Sequence, residues 1–409
     1  MKNIININYI TGLILIILLM TACDMINTSV PADDGILDGP VEGLTREQGA
    51  QFLAGDIAFN NDIFNAATGL GPFFVATSCG SCHAGDGKGH PFTTLTRFGQ
   101  TNETGNQYIG NGGPQLQNRS IPGYTPEQIP HGTTFSKFTP PANTGLGFLA
   151  ALTDDQILAN ADPDDADGDG ISGVPNYNTP PDYFKPQWFH KSLDGRYIGR
   201  FGKKAAAIDL LIQTVNAYNE DMGITSDFRM DEPSIFNGSV EMPDDVADPE
   251  IPAATVRNVV FYLRTLKAPV QRNQNSPEVQ AGRQVFMNIS CGKCHTPEFT
   301  TPKSDIAALS NKTFYPYTDL LMHDMGPELD DNYTEGTAKT YEWRTPPLWG
   351  LGLSPKSQGG QYFLMHDGRA KSIEEAILWH SGEAAGSRDK YKALSPAEKS
   401  NILKFLESL

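Results

Sequence analysis

Four of the five cysteines in this chain fall in two copies of one pattern, Cys79-Gly-Ser-Cys82-His83 and Cys291-Gly-Lys-Cys294-His295. C-x-x-C-H is the signature of c-type haem attachment. Two thiols one helical turn apart can form thioethers to the two vinyl carbons of a haem, and the adjacent imidazole is then held under the iron as its proximal ligand. A redox dithiol would need no histidine and favours a strand-to-helix setting. A four-cysteine zinc site would have to unite distant pairs and would leave both histidines unexplained. The pattern therefore predicts two covalently attached haem c groups, on Cys79, Cys82 and His83 and on Cys291, Cys294 and His295.

The fifth cysteine lies at the end of a different signal. Lys2 is the only charge in the first 23 residues, and an apolar run over 10–20 follows it. Eleven residues are too few to cross a bilayer as a mature helix but suit the core of a secretion signal. The run ends Leu19-Met20-Thr21-Ala22-Cys23, which resembles a bacterial lipoprotein signal, with Met20 a departure from the usual small or aliphatic residue. The expectation is a signal peptide over 1–22, lipidation at Cys23 and a polar tether over 23–43, with a plain secretory signal as the alternative. This places the protein in the bacterial cell envelope, on the periplasmic face, held to the membrane by the lipid anchor only. The 31 basic and 48 acidic residues give a net charge of −17. Such a surface disfavours nucleic acid, whose phosphates need Lys and Arg.

Amphipathic stretches flank each motif. Residues 46–59 and 277–286 precede the motifs. Residues 253–266 end the first half with Val256, Val259, Val260, Leu263 and Leu266 on one face, and residues 395–409 end the second with Ile402, Leu403, Phe405, Leu406 and Leu409. Ser395 and Glu398 form a capping-box pair. First and last helices around a haem motif resemble the cytochrome c fold, where they cross. The chain thus reads as mainly α, with two cytochrome c-like domains over 44–270 and 271–409. The first carries a long irregular insertion over 96–250, rich in Gly, Pro and Asn, with one clear helix at 203–218. A region of that size needs an anchor: a cofactor, a metal or interdomain contacts. Within it, Asp165, Asp167 and Asp169 followed by Gly170 match the start of a calcium loop. Asn176 stands where an EF-hand has its bidentate Glu, so the expectation is a looser Ca2+ site, with a solvated acidic loop as the alternative.

Three segments carry a resemblance: Trp343-Arg344-Thr345-Pro346-Pro347-Leu348-Trp349-Gly350, the run 317–326 containing His323-Asp324-Met325-Gly326, and Phe363-Leu364-Met365-His366-Asp367-Gly368-Arg369. They are similar to the di-haem oxidoreductase family of peroxidase-like proteins, also labelled thiol oxidoreductases and related to bacterial di-haem cytochrome c peroxidases and MauG-type enzymes. In those relatives the His-Asp-Gly segment precedes a helix whose end supplies the distal ligand of the second haem, usually Met. Here the matching position is His380, which implies bis-His ligation by His295 and His380, with His366 beside the haem or at the domain interface. An "EMG" segment of the peroxidases places an acid over the open face of the first haem. The matching residues here are Glu220 and Asp221, and the resemblance implies a proton-transferring role for one of them.

No histidine stands at the position in the first half that corresponds to His380. The first haem is therefore expected to keep an open or exchangeable site, with His131 a candidate to close it at rest. Arg196, Arg344 and Arg369 are candidate partners for haem propionates, because a guanidinium matches a carboxylate bidentately. One of Trp343, Trp349 and Trp379 is a candidate relay between the haems. The implied activity is reduction of hydrogen peroxide or another oxidant at the first haem, with electrons from a small redox donor such as a c-type cytochrome entering through the second. The alternatives are a non-enzymatic di-haem electron carrier and a MauG-like oxidase of a protein or metal substrate. The cysteines give the thiol label no support: once four hold haem and one holds lipid, no dithiol remains.

Overall fold

The computed structural model describes residues 37–99, 114–232 and 244–409, together with Gly35. The signal peptide, Cys23 and most of the expected tether lie outside the described residues.

The two expected helix pairs are present. Helix α1 (Arg46–Asn60) opens on a capping box between Thr45 and Gln48. After α2 (Leu210–Asn216) comes α3 (Ala253–Thr265), which packs across α1. Helix α4 (Pro277–Asn288) starts at the Ser276 cap, and α5 (Ile373–Trp379) at the Ser372 cap. Helix α6 (Pro396–Ser408) begins at the Ser395/Glu398 capping box and packs across α4.

Both crossings are made at a glycine. A Cβ at Gly55 of α1 would lie 2.1 Å from the Asn258 carbonyl oxygen of α3, and one at Gly282 of α4 would lie 2.0 Å from the Asn401 carbonyl oxygen of α6. The backbones can approach this closely only where no side chain intervenes. The crossings seed two cores. Phe52, Val256, Val259 and Tyr262 belong to the first; Val279, Phe286, Ile402 and Phe405 belong to the second. Each such side chain removed from water stabilises the fold by about 1.5–3 kcal/mol before entropy is counted. Leu53 and Ile57, apolar residues of α1, face outward.

The helix expected at 203–218 is shorter. It begins at Leu210, where the Asp209 carboxylate caps the Ile212 amide, and ends in a wide turn over Ala217–Asp221. Upstream, Gly202 and Ala205 take positive φ, which no α-helix allows. The rest of the region is held by short ribbons and long-range hydrogen bonds rather than by its own periodicity. Strands β1 (Leu95–Phe98) and β2 (Phe135–Phe138) form one antiparallel ribbon there; in the second half of the chain β3 (Met322–Asp324) and β4 (Glu342–Arg344) form another, with Trp343 opposite His323. Residues from the two halves of the sequence interleave. The Thr139 amide donates to His366 O, the Arg344 amide to Lys203 O, and the Gln358 side chain to Gly89 O.

Candidate haem site

Both motifs line one largely apolar cavity, and each is presented in the same way. Cys79–Cys82 is a single helical turn capped by Ser78, and its partner motif is a tight turn over Cys291–Lys293. The amides of His83 and His295 donate to Cys79 O and Cys291 O, both at 3.0 Å. His83 Nδ1 donates to Pro141 O at 3.0 Å and His295 Nδ1 to Tyr317 O at 2.9 Å. Fixing Nδ1 on a carbonyl selects the tautomer whose Nε2 lone pair is free to bind a metal. Burial holds both imidazoles down, to about 4, so they are neutral at physiological pH, as ligands must be.

No disulfide joins the four thiols. Burial pushes Cys79 and Cys291 up to about 12 and Cys82 up to about 11, with the Asp221 charge adding to the shift at both Cys79 and Cys82. Thiols this far from ionisation make poor nucleophiles for disulfide exchange.

On the far side of the second motif, the His295 and His380 rings lie 6.5 Å apart, centroid to centroid. Two imidazoles sharing one metal through bonds of about 2 Å each would place their centroids roughly 6 Å apart. His380 caps the end of α5, its Nδ1 donates to Ala376 O at 2.7 Å, and burial lowers its pKa. Near the first motif, among the described residues, Phe59 is the ring packed on His83. Asp221 stands on the cavity wall instead. Burial first, then the neighbouring Glu220 charge, raises Asp221 to about 7, and Gln115 Nε2 donates to its Oδ1 at 3.1 Å.

Glu220 is not on that wall. Its carboxylate pairs with Arg97 at 2.9 Å and Arg229 at 3.4 Å. Adjacent residues on the wide turn point in different directions, and only Asp221 meets the cavity. His131 is exposed and also lies off the wall. Both nitrogens of His323 are occupied, by Asp319 at 2.8 Å and Glu383 at 2.7 Å. Against the opposing effect of burial, these carboxylates hold its pKa well above the usual value. His366 is buried, donates through Nε2 to Asp331 at 2.9 Å, and stacks face to face on Trp343 at 3.7 Å. Trp343 and Trp349 line the cavity, whereas Trp379 lies under Arg369.

Of the three arginines expected near propionates, only Arg344 reaches the cavity. Arg369 is spent on Asp367 and the Glu328 carbonyl, and Arg196 sits on an exposed turn. Sequence reasoning missed the cations that join Arg344 there, Lys88 and Lys203. Burial lowers Lys88 to about 8, Lys203 to about 7 and Arg344 to about 10, and the Lys88 and Arg344 charges add to the shift at Lys203. None has a carboxylate partner among the described ion pairs. Three half-buried basic side chains on one cavity wall without carboxylate partners favour bound anions, and haem carboxylates are anions of that kind. Donor set, tautomers and charge thus all fit a pair of haems.

The sequence of 137–409 matches the family model described as "Di-haem oxidoreductase, putative peroxidase". The chain belongs to the di-haem oxidoreductase family. The match includes the second motif, His366 and His380; the first motif lies upstream of it. No curated protein matches the chain. Among solved structures it is similar to hydrazine synthase of Kuenenia stuttgartiensis, with 15% identity and a TM-score of 0.42 over 94% of this chain and 98% of that one. It is also similar to a MauG-like protein associated with microbial copper homeostasis, with 14% identity and a TM-score of 0.39 over 94% of each.

The aspartate loop brings together two of its three expected ligands. Asp162, Asp165 and Asp167 cluster, while Asp169 turns to Lys293 of the second motif at 2.7 Å. Lys293 meets part of the loop's charge, and the contact ties the insertion to the motif.

Proposed function

We propose that this di-haem oxidoreductase is an exported, lipid-anchored enzyme that reduces peroxide at the first motif, with electrons entering through the second. Cys79, Cys82 and His83 would hold one haem covalently, and Cys291, Cys294, His295 and His380 the other. Lys88, Lys203 and Arg344 would meet their carboxylates. When bound, the haems supply the iron that carries electrons and polarises the O–O bond.

The chain's own contribution is proton handling and exclusion of water. Asp221, with a pKa near neutrality, can take a proton from one peroxide oxygen and return it to the other, so that water rather than hydroxide leaves. Gln115 orients that carboxylate. Phe59, Leu149, Val259 and Leu263 keep the chamber apolar, which strengthens each charge interaction inside it.

The observation that carries this reading is the asymmetry between the motifs: an imidazole faces His295, whereas a titratable acid stands beside Cys79 and Cys82. A pure electron carrier needs ligands on both faces of both irons and no such acid. The test is peroxide-dependent oxidation of a reduced c-type cytochrome by the half-reduced protein. Turnover that Asp221→Asn suppresses supports the reading; none in the native protein refutes it.

A further inference from the structure

A second group of carboxylates lies outside the cavity. Oxygens of Glu232, Asp244 and Glu250 all fall within 4.8 Å of one another. Asp244 is only 8% exposed. Its Oδ1 accepts from the Val246 amide at 2.7 Å, while Oδ2 is buried without a partner. Glu250 repeats this arrangement: Oε2 accepts from the Thr225 amide at 2.6 Å, and Oε1 is buried without a partner. Both oxygens of Glu232 are buried and unpartnered. Two carboxylates are thus each fixed through one oxygen and present the other, and a third presents both.

We propose that Glu232, Asp244 and Glu250 bind a hard divalent cation, Ca2+. Four buried carboxylate oxygens without a donor have no other relief among the described ion pairs. An all-oxygen set completed by water suits Ca2+, which accepts irregular geometry, better than Mg2+, which demands an octahedron, or transition metals, which favour nitrogen and sulfur. The cluster cannot hold its full charge unaided. The Asp162–Asp165–Asp167 group differs, because its loop is largely exposed and docks on Lys293.

The site lies behind the segment that carries Asp221. Glu250 grips Thr225 and packs on Gly69, where a Cβ would lie 2.1 Å from its Cγ, and the Gly71 amide donates to Met222 O at 3.0 Å. A cation here would pin residues 222–225, and with them the turn bearing Asp221.

The test uses the haem-loaded, full-length protein stripped with EDTA and titrated with CaCl2 by calorimetry, with melting followed in parallel. The expectation is tight binding that raises Tm, abolished in Glu232→Gln/Glu250→Gln and retained in Asp165→Asn/Asp167→Asn. Asp244→Asn alone should weaken binding by about tenfold or more, since ligand charge sets calcium affinity; it serves as the test variant if the double substitution does not fold. No binding at millimolar Ca2+, binding unchanged in the cluster variants, or binding lost only in the loop variant would overturn the proposal.

Discussion

The His295 and His380 rings face each other with centroids 6.5 Å apart, each with Nδ1 committed to a backbone carbonyl and Nε2 left free. This pair distinguishes the second motif from the first, where Asp221 occupies the cavity wall and no facing imidazole is recorded among the described residues.

His380→Met should therefore raise the midpoint potential of the second haem, because thioether ligation favours ferrous iron relative to imidazole. His380→Ala should convert its low-spin signal to high-spin. Spectroelectrochemistry of the two variants checks both; an unchanged second centre would remove His380 from the ligand set.

Asp221→Asn should lower peroxide turnover by roughly 10²–10⁴ and flatten its pH profile. In the native protein the rate should rise with pH through about 7, as the carboxylate forms. Stability moves the opposite way. The folded pKa lies above the ordinary aspartate value of 3.8, so the fold binds the extra proton between those values and loses stability as pH rises across that window. Above about 7 the penalty is constant. Denaturant titrations at several pH values should show this slope in the native protein and not in Asp221→Asn.

The parts that were legible in the sequence are local. Thiol spacing, an adjacent histidine, the Ser395/Glu398 cap and the apolar faces of α3 and α6 are all written within a few residues. What was hidden depends on burial and long-range contact. Lys88 and Lys203 read as ordinary surface lysines, and nothing nearby signals that the fold half-buries them on the cavity wall. Glu220 and Asp221 are neighbours, and only the wide turn at the end of α2 decides which one meets the cavity. The contact between Asp169 and Lys293 joins residues more than a hundred positions apart, and no local pattern signals it.

Lys203→Met should lower the reduction potential of the first haem and leave the second nearly unchanged. Burial dominates the depressed His83 pKa, but the Lys203 charge contributes to it, which places that cation near His83. Removing a half-buried positive charge favours the more oxidised iron. Separate titration of the two centres checks this, and equal shifts at both would contradict it.

Gly282→Ala should destabilise the second helix crossing. Better helix propensity would contribute about 1 kcal/mol in its favour. The added Cβ would sit 2.0 Å from Asn401 O and force backbone apart, at a cost of roughly 1–3 kcal/mol or more. The clash should win and lower Tm by several degrees, and Gly55→Ala should do the same at the first crossing.

Electron paramagnetic resonance of the as-isolated and half-reduced protein tests the central asymmetry most directly. The account predicts one low-spin centre, altered by His380→Ala, and one high-spin or ligand-exchangeable centre that responds to peroxide after half-reduction. Two low-spin centres that persist through half-reduction, with no reaction on adding peroxide, would contradict it.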